Sequence, residues 1–211
     1  MAISTFDMFK IGIGPSSSHT MGPMRAANRF IMGLEEHGNL ALTKKVRVEL
    51  YGSLALTGVG HGTDKALQLG LESQTAEAVD PDYIEPRLAQ IKSDSKLRLA
   101  GKHEIAFSPQ EDLVFKRRET LPLHSNGMRF FALDENGAEL HQQTYYSIGG
   151  GFVVNEETAE QDRLKKDASK LPYDFSSGAE MIRLAEENKM RVCESFTAQA
   201  SWDWVQRRAR P

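Results

Sequence analysis

The chain has 211 residues, 40% of them hydrophobic and 26% charged, with a formal net charge of −3. Those values suit one large soluble globular domain, or one domain with an appended piece. They offer neither the basic excess of a nucleic-acid binder nor the long apolar run of a membrane-spanning helix, so no nucleic-acid or membrane partner is expected. Cys193 is the only cysteine, so no disulfide closes within one chain, and a reducing, cytoplasmic location is expected.

Met1 to Phe9 lacks a basic stretch followed by an apolar core, and does not have the pattern of an export signal. Ser4 and Asp7 suggest a short capped helix there, with Phe6 and Phe9 as packing residues. The most biased stretch follows: Gly12-Ile-Gly14-Pro15-Ser16-Ser17-Ser18-His19-Thr20-Met21-Gly22-Pro23. Its glycines let backbone approach a ligand, Pro15 stiffens the turn, and Ser18 or Thr20 is the expected N-cap of a helix. Met24, Ala27, Ile31 and Leu34 then recur at helical spacing, predicting a helix from about 21 to 36 that stops at Gly38-Asn39. A serine-rich helix start offers free amides and hydroxyls to a carboxylate or phosphate, and His19 titrates near neutral pH. The alternative is a polar loop with an ordinary cap.

Val46 to Tyr51 alternates apolar and charged residues, which predicts a strand. Gly52-Ser53 then suggests a sharp turn into a helix, with Ser53 as its cap. Gly58-Val-Gly60-His61-Gly62-Thr63-Asp64 brackets a histidine with three glycines ahead of a helix over 65–72. Either His61 faces a pocket or it faces solvent on a plain connector. Asp80-Pro81 opens a further helix with Ile84, Leu88 and Ile91 on one face, and short strands are expected at 104–107 and 113–115. His124-Ser125-Asn126-Gly127 is another turn carrying a histidine and an amide. Residues 128–133 and 139–146 predict a hairpin closed by Asp134-Glu135-Asn136-Gly137, and His141 within it is assigned no role. Ser147 and Gly149 to Gly151 follow, fitting either close backbone approach or a β-bulge.

The predicted fold class is α/β, a mixed sheet with flanking helices over 1–155, then a charged linker over 156–175 and a helical tail over 176–211. Met181, Leu184 and Ala185 lie on one face of that tail's helix. His19, His61, His124 and Ser147 sit at four polar, glycine-punctuated ends, and ligand sites form where such ends converge at one edge of a sheet.

Five separated motifs resemble the β region of iron–sulfur L-serine dehydratases in the order that family has them. They are the stretch 12–23, Gly52 to Gly58 with Gly60-His61-Gly62-Thr63-Asp64, His124 to Met128, Tyr145 to Val153, and Pro172 to Ser177. The resemblance covers roughly residues 1–190, is of the single-chain bacterial type, and implies deamination of L-serine to pyruvate and ammonia without pyridoxal phosphate. It implies a 4Fe-4S cluster carried by an α region, one open iron acting as Lewis acid on the departing hydroxyl, and this β region closing over the substrate. Carried onto this sequence, Ser17, Ser18 and Thr20 would bind substrate, and His61 would take the α-proton with Thr63 and Asp64 orienting it. His19 is the rival base, and His124, Asn126 and Ser147 would complete the substrate wall.

The family's cluster needs several cysteines, and this chain has only Cys193 with no cluster motif around it, so no cluster ligands are expected in it; residues from about Ser195 onward do not resemble the family's continuation, which suggests a truncated or frame-shifted end. The expectation is therefore a lyase half that works beside a cluster-bearing α region, with the helix at 176–190 docking either on that region or on a second copy in a homodimer. A non-catalytic binding module for serine or another small carboxylate is the alternative. A serine hydrolase using Ser17 or Ser18 is weaker, because no Gly-x-Ser-x-Gly elbow occurs.

Overall fold

A computed structural model of the chain describes residues 12–156 and 177–192. The chain groups into two compact units, one of residues 11–161 and the other of residues 1–10 and 162–211. The larger unit begins with a π-helical turn at Ser17–Met21 that runs straight into α1, Gly22–Glu36. Next come β1 (Lys45–Tyr51), α2 (Gly52–Thr57), α3 (Thr63–Leu71) and α4 (Pro81–Asp94). After these follow β2 (Lys96–Leu99), β3 (His103–Ala106), α5 (Pro109–Asp112), β4 (Leu113–Lys116), β5 (Gly127–Leu133), β6 (Glu139–Gly149) and β7 (Phe152–Asn155).

Five strands form one mixed sheet in the order β4-β1-β5-β6-β7, with β1 and β4 parallel and the other pairs antiparallel. The expected α/β class is therefore correct. β2 and β3 pair as a separate two-stranded sheet. Strand alternation explains the layering: Val46, Val48 and Leu50 of β1 and Met128, Phe130 and Ala132 of β5 point to one face, and all are fully buried. The apolar stripe of α1, Ala27, Phe30, Ile31 and Leu34, covers that face in the same core. Phe30 stacks on Phe130 with ring centroids 5.2 Å apart, and Phe130 meets Tyr145 edge-on at 5.7 Å. Burying one such phenyl ring is worth roughly 1.5–3 kcal/mol.

The expected end of α1 is correct in detail. Gly38 takes φ +71, its amide bonds to Glu35 O, and the Asn39 amide bonds to Leu34 O, closing a Schellman motif. The start differs, because the cap is Ser16, whose Oγ accepts the His19 amide, rather than Ser18 or Thr20. Two strands escape the sequence pattern. β2 starts directly after α4 with no proline or glycine to mark it, since Ser95 itself takes the left-handed turn at φ +51. β7 returns through the glycines after Ser147, all at positive φ, with a register shift between Ser147 and Gly149. The glycines thus serve both a bulge and a tight hairpin turn.

In the other unit, Gly178–Glu187 forms α6, capped by Ser177, whose side chain accepts the Glu180 amide. Ala185 is buried and Ile182 is exposed. The short helix expected before Phe9, the linker at 156–175 and Cys193 lie essentially outside the described residues. No helix among the described residues is long and apolar enough to cross a membrane.

Candidate functional site

Strand register brings the polar ends together. Leu50 pairs with Met128, and Gly127 pairs with Tyr146, so the end of β1, the start of β5 and the end of β6 lie side by side. Gly52-Ser53, Ser125-Asn126 and Ser147 extend from those three positions. The Ser53 amide bonds to Ser125 O at 2.9 Å, the Ser147 amide to Asn126 O at 3.0 Å, and Asn126 Nδ2 to Ser147 O at 3.1 Å. Gly52 takes φ +52, and a Cβ there would lie 2.4 Å from Ser125 O, so this junction admits only glycine. The leading turn of α1 is seated on the same edge: a Cβ on Gly22 would lie 2.0 Å from Ser147 Oγ.

His19 and His61 meet above this edge, ring centroids 5.1 Å apart and planes tilted by 45°. Their loops are cross-tied. Thr20 Oγ1 donates to His61 O at 2.7 Å, and Thr63 Oγ1 donates to His19 O. Both threonines are buried, so their hydroxyls lock the two loops and do not reach open surface.

The hydrogen bonds assign the imidazoles different states. His61 Nδ1 faces Thr57 O at 2.8 Å; a carbonyl only accepts, so Nδ1 carries a proton, and in the neutral ring Nε2 holds the free lone pair. No described residue bonds to that Nε2. Thr57 thus orients His61, the part expected of Thr63 and Asp64. His19 has a hydroxyl at each nitrogen, Ser18 Oγ at 2.9 Å from Nδ1 and Ser53 Oγ at 3.0 Å from Nε2. Burial pushes the His19 pKa below its ordinary value, His61 beside it adds to that, and the Ser53 backbone opposes it. His124 is the reverse of His61: the Asn126 amide donates to its Nδ1 at 3.0 Å, so a neutral His124 carries its proton on Nε2.

The remaining expected residues divide by exposure. Ser17 is exposed at the open end of the π turn, and Ser18 is half-buried on His19. The amide of His19 is taken by Ser16 Oγ and those of Thr20 and Met21 by Ser16 O, so the Ser17 and Ser18 amides are what the turn offers outward. Ser147 is fully buried behind Gly22, and Asn126 is nearly so; Ser147 Oγ, Asn126 Oδ1 and Asp64 Oδ1 are buried without a hydrogen-bond partner. His124 joins the network through Asn126 and makes no hydrogen bond to the imidazole pair.

Two participants were missed from the sequence as site residues. Ser53 was expected to cap α2, but its hydroxyl serves His19. Thr57 carried no signal except its spacing, four residues beyond Ser53 and so on the same helical face. Ser18 against His19 is a serine–imidazole contact. The far nitrogen meets a hydroxyl and not a carboxylate, so a Ser-His-Asp triad is not built here. Among the described residues, no three His, Cys, Asp or Glu side chains group closely enough to hold a metal ion.

Residues 4–158 match the family described as serine dehydratase beta chain. The chain is 51% identical over 192 residues to the L-serine dehydratase of Streptomyces coelicolor, covering 91% of this chain and 42% of that protein. It is 42% identical over 191 residues to the L-serine dehydratase of Haemophilus influenzae, covering 90% of this chain and 41% of the relative. L-serine dehydratase 1 of Escherichia coli is 45% identical over 187 residues, 88% of this chain and 40% of its own length. The chain thus spans about two fifths of the length of these relatives. A match over residues 4–158 carries the assignment: the chain belongs to the serine dehydratase beta chain family.

Proposed function

We propose that this chain is the β part of an L-serine ammonia-lyase, converting L-serine to pyruvate and ammonia together with a cluster-bearing α region and lacking that activity alone. The observation that carries the reading is His61, whose Nδ1 proton is held by Thr57 O and whose Nε2 lone pair is unused. In that state His61 Nε2 takes the α-proton of serine. The Ser17 and Ser18 amides at the head of α1, with the Ser17 hydroxyl, receive the substrate carboxylate. His124, protonated on Nε2, donates a hydrogen bond to the bound substrate, and buried Asn126 and Ser147 support the wall behind it. Loss of the β-hydroxyl gives an aminoacrylate, which tautomerises and hydrolyses to pyruvate and ammonia.

The iron–sulfur cluster implied by the resemblance needs several thiolates. The described residues do not fit it, and the whole chain has one cysteine. Its ligands belong to the α region. The relatives' greater length and the exposed Leu56, Val59 and Ile148, at 64%, 58% and 48%, support an α region closing over the site. A reducing cytoplasm fits the lone Cys193.

The test is His61→Asn, assayed with a supplied α region. Turnover is expected to fall about 10²- to 10⁴-fold with KM little changed. Full turnover by the variant would remove His61 from the role. Serine binding without turnover by any combination would favour a small-carboxylate sensor.

A further inference from the structure

We propose that Ser53 is a positioning residue of this site, and that the six-residue helix α2 is the spacer that holds both imidazoles in register. The first end of α2 presents Ser53 Oγ to His19 Nε2 at 3.0 Å, and its last residue presents Thr57 O to His61 Nδ1 at 2.8 Å. The two positions are one helical turn apart, and Thr57 Oγ1 donates to Ser53 O at 2.9 Å, which ties the ends of that turn. The two imidazoles held from this one turn lie with their ring centroids 5.1 Å apart.

The helix is itself anchored at its origin. Glycine alone fits at Gly52, whose amide bonds to Glu119 O, and the Ser53 amide bonds to Ser125 O. The N-cap position of α2 is Tyr51, and Ser53 Oγ, inside the first turn, is oriented by its bond to His19 Nε2. With Ser18 Oγ on Nδ1 and Ser53 Oγ on Nε2, both nitrogens of His19 are engaged, while His61 keeps one free. His61 is the titratable group in ring contact with His19, and Ser53 Oγ holds the far nitrogen of His19, accepting from it when that nitrogen is protonated. Ser53 thereby separates the two histidines into a held one and an available one.

The catalytic meaning of this assignment rests on the reading of His61 as base, but the test reads the imidazoles directly. Full-length chain labelled with ¹⁵N in histidine is titrated by NMR as wild type, Ser53→Ala and Ser53→Thr. Ser53→Ala removes the hydroxyl at His19 Nε2 and is expected to change the tautomer balance in the His19 ¹⁵N shifts while leaving the His61 Nδ1–H tautomer in place. Ser53→Thr, which keeps the hydroxyl, restores the wild-type His19 signal. An unchanged His19 in a folded Ser53→Ala protein overturns the proposal. If Ser53→Ala fails to fold, Ser53→Cys, whose thiol is a poor hydrogen-bond partner, makes the same discrimination. A shifted His19 in a chain that turns over no serine even with a supplied α region would uphold the positioning role and count against the dehydratase reading.

Discussion

Thr20 Oγ1 donates to the carbonyl of His61 at 2.7 Å, and the bond is answered in the opposite direction, from Thr63 Oγ1 to the carbonyl of His19. Each threonine follows one histidine in sequence and fastens the other, so neither loop can move without disturbing its counterpart. Thr20→Val or Thr63→Val keeps the shape but leaves a carbonyl without its donor. Each is expected to cost about 1–3 kcal/mol in urea unfolding, with the double variant departing from additivity because both bonds join the same two loops.

Gly22 and Ser147 are in contact without room for a methyl group. A Cβ at Gly22 would lie 2.0 Å from Ser147 Oγ and 2.8 Å from its Cβ. Gly22→Ala is expected to destabilise the chain by about 1–3 kcal/mol, as overpacking does. Ser147→Ala in the same chain should recover part of the loss, and a thermal melt of both variants checks this.

Two histidines make stability sensitive to acid. His19 and His141 both titrate below the ordinary 6.5 in the folded chain. Burial is the larger cause in each, followed by a neighbouring imidazole, His61 for His19 and His37 for His141. The unfolded chain therefore binds protons that the folded chain resists. Their contribution is complete above the unfolded value and is lost as pH falls from there through the folded values. The urea midpoint is expected to be lower at about pH 5.5 than at about pH 7.5. His141 stacks on Phe30 with centroids 5.6 Å apart, so His141→Phe keeps an aromatic partner and should flatten the dependence.

The buried pair Arg87–Glu72 sits away from the site. Arg87 Nε and Nη2 reach the two Glu72 oxygens at 2.8 and 2.5 Å, and the Arg98 amide also donates to Glu72 Oε1. Arg87→Ala would strand a buried carboxylate, at an expected cost of about 3–5 kcal/mol. Arg98→Ala keeps its amide and changes an exposed side chain, so it should stay within about 0.5 kcal/mol.

The parts of this fold legible in the sequence are those with strong local chemistry. The apolar spacing of Ala27, Ile31 and Leu34 marks α1, the glycine and asparagine after it mark its end, and Asn136-Gly137 marks the hairpin. The histidine loops were legible too, because glycines crowd around them. What escaped depends on partners distant in sequence. Ser53 has the composition of a cap until His19, 34 residues earlier, comes within 3.0 Å. Thr57 acts through its carbonyl, which no side-chain pattern encodes. Thr20 and Thr63 look like ligand hydroxyls from their motifs, yet their burial commits both to backbone. β2 has four residues, too few to show a period beside a charged helix.

Pyruvate release from L-serine, measured under anaerobic conditions after iron and sulfide reconstitution, decides whether this chain is half of a composite lyase. The chain is assayed alone and with a separately supplied cluster-bearing α region. Turnover is expected only in the combined sample, abolished or nearly so by His61→Asn. Turnover by this chain alone, or silence in both samples, would contradict that reading.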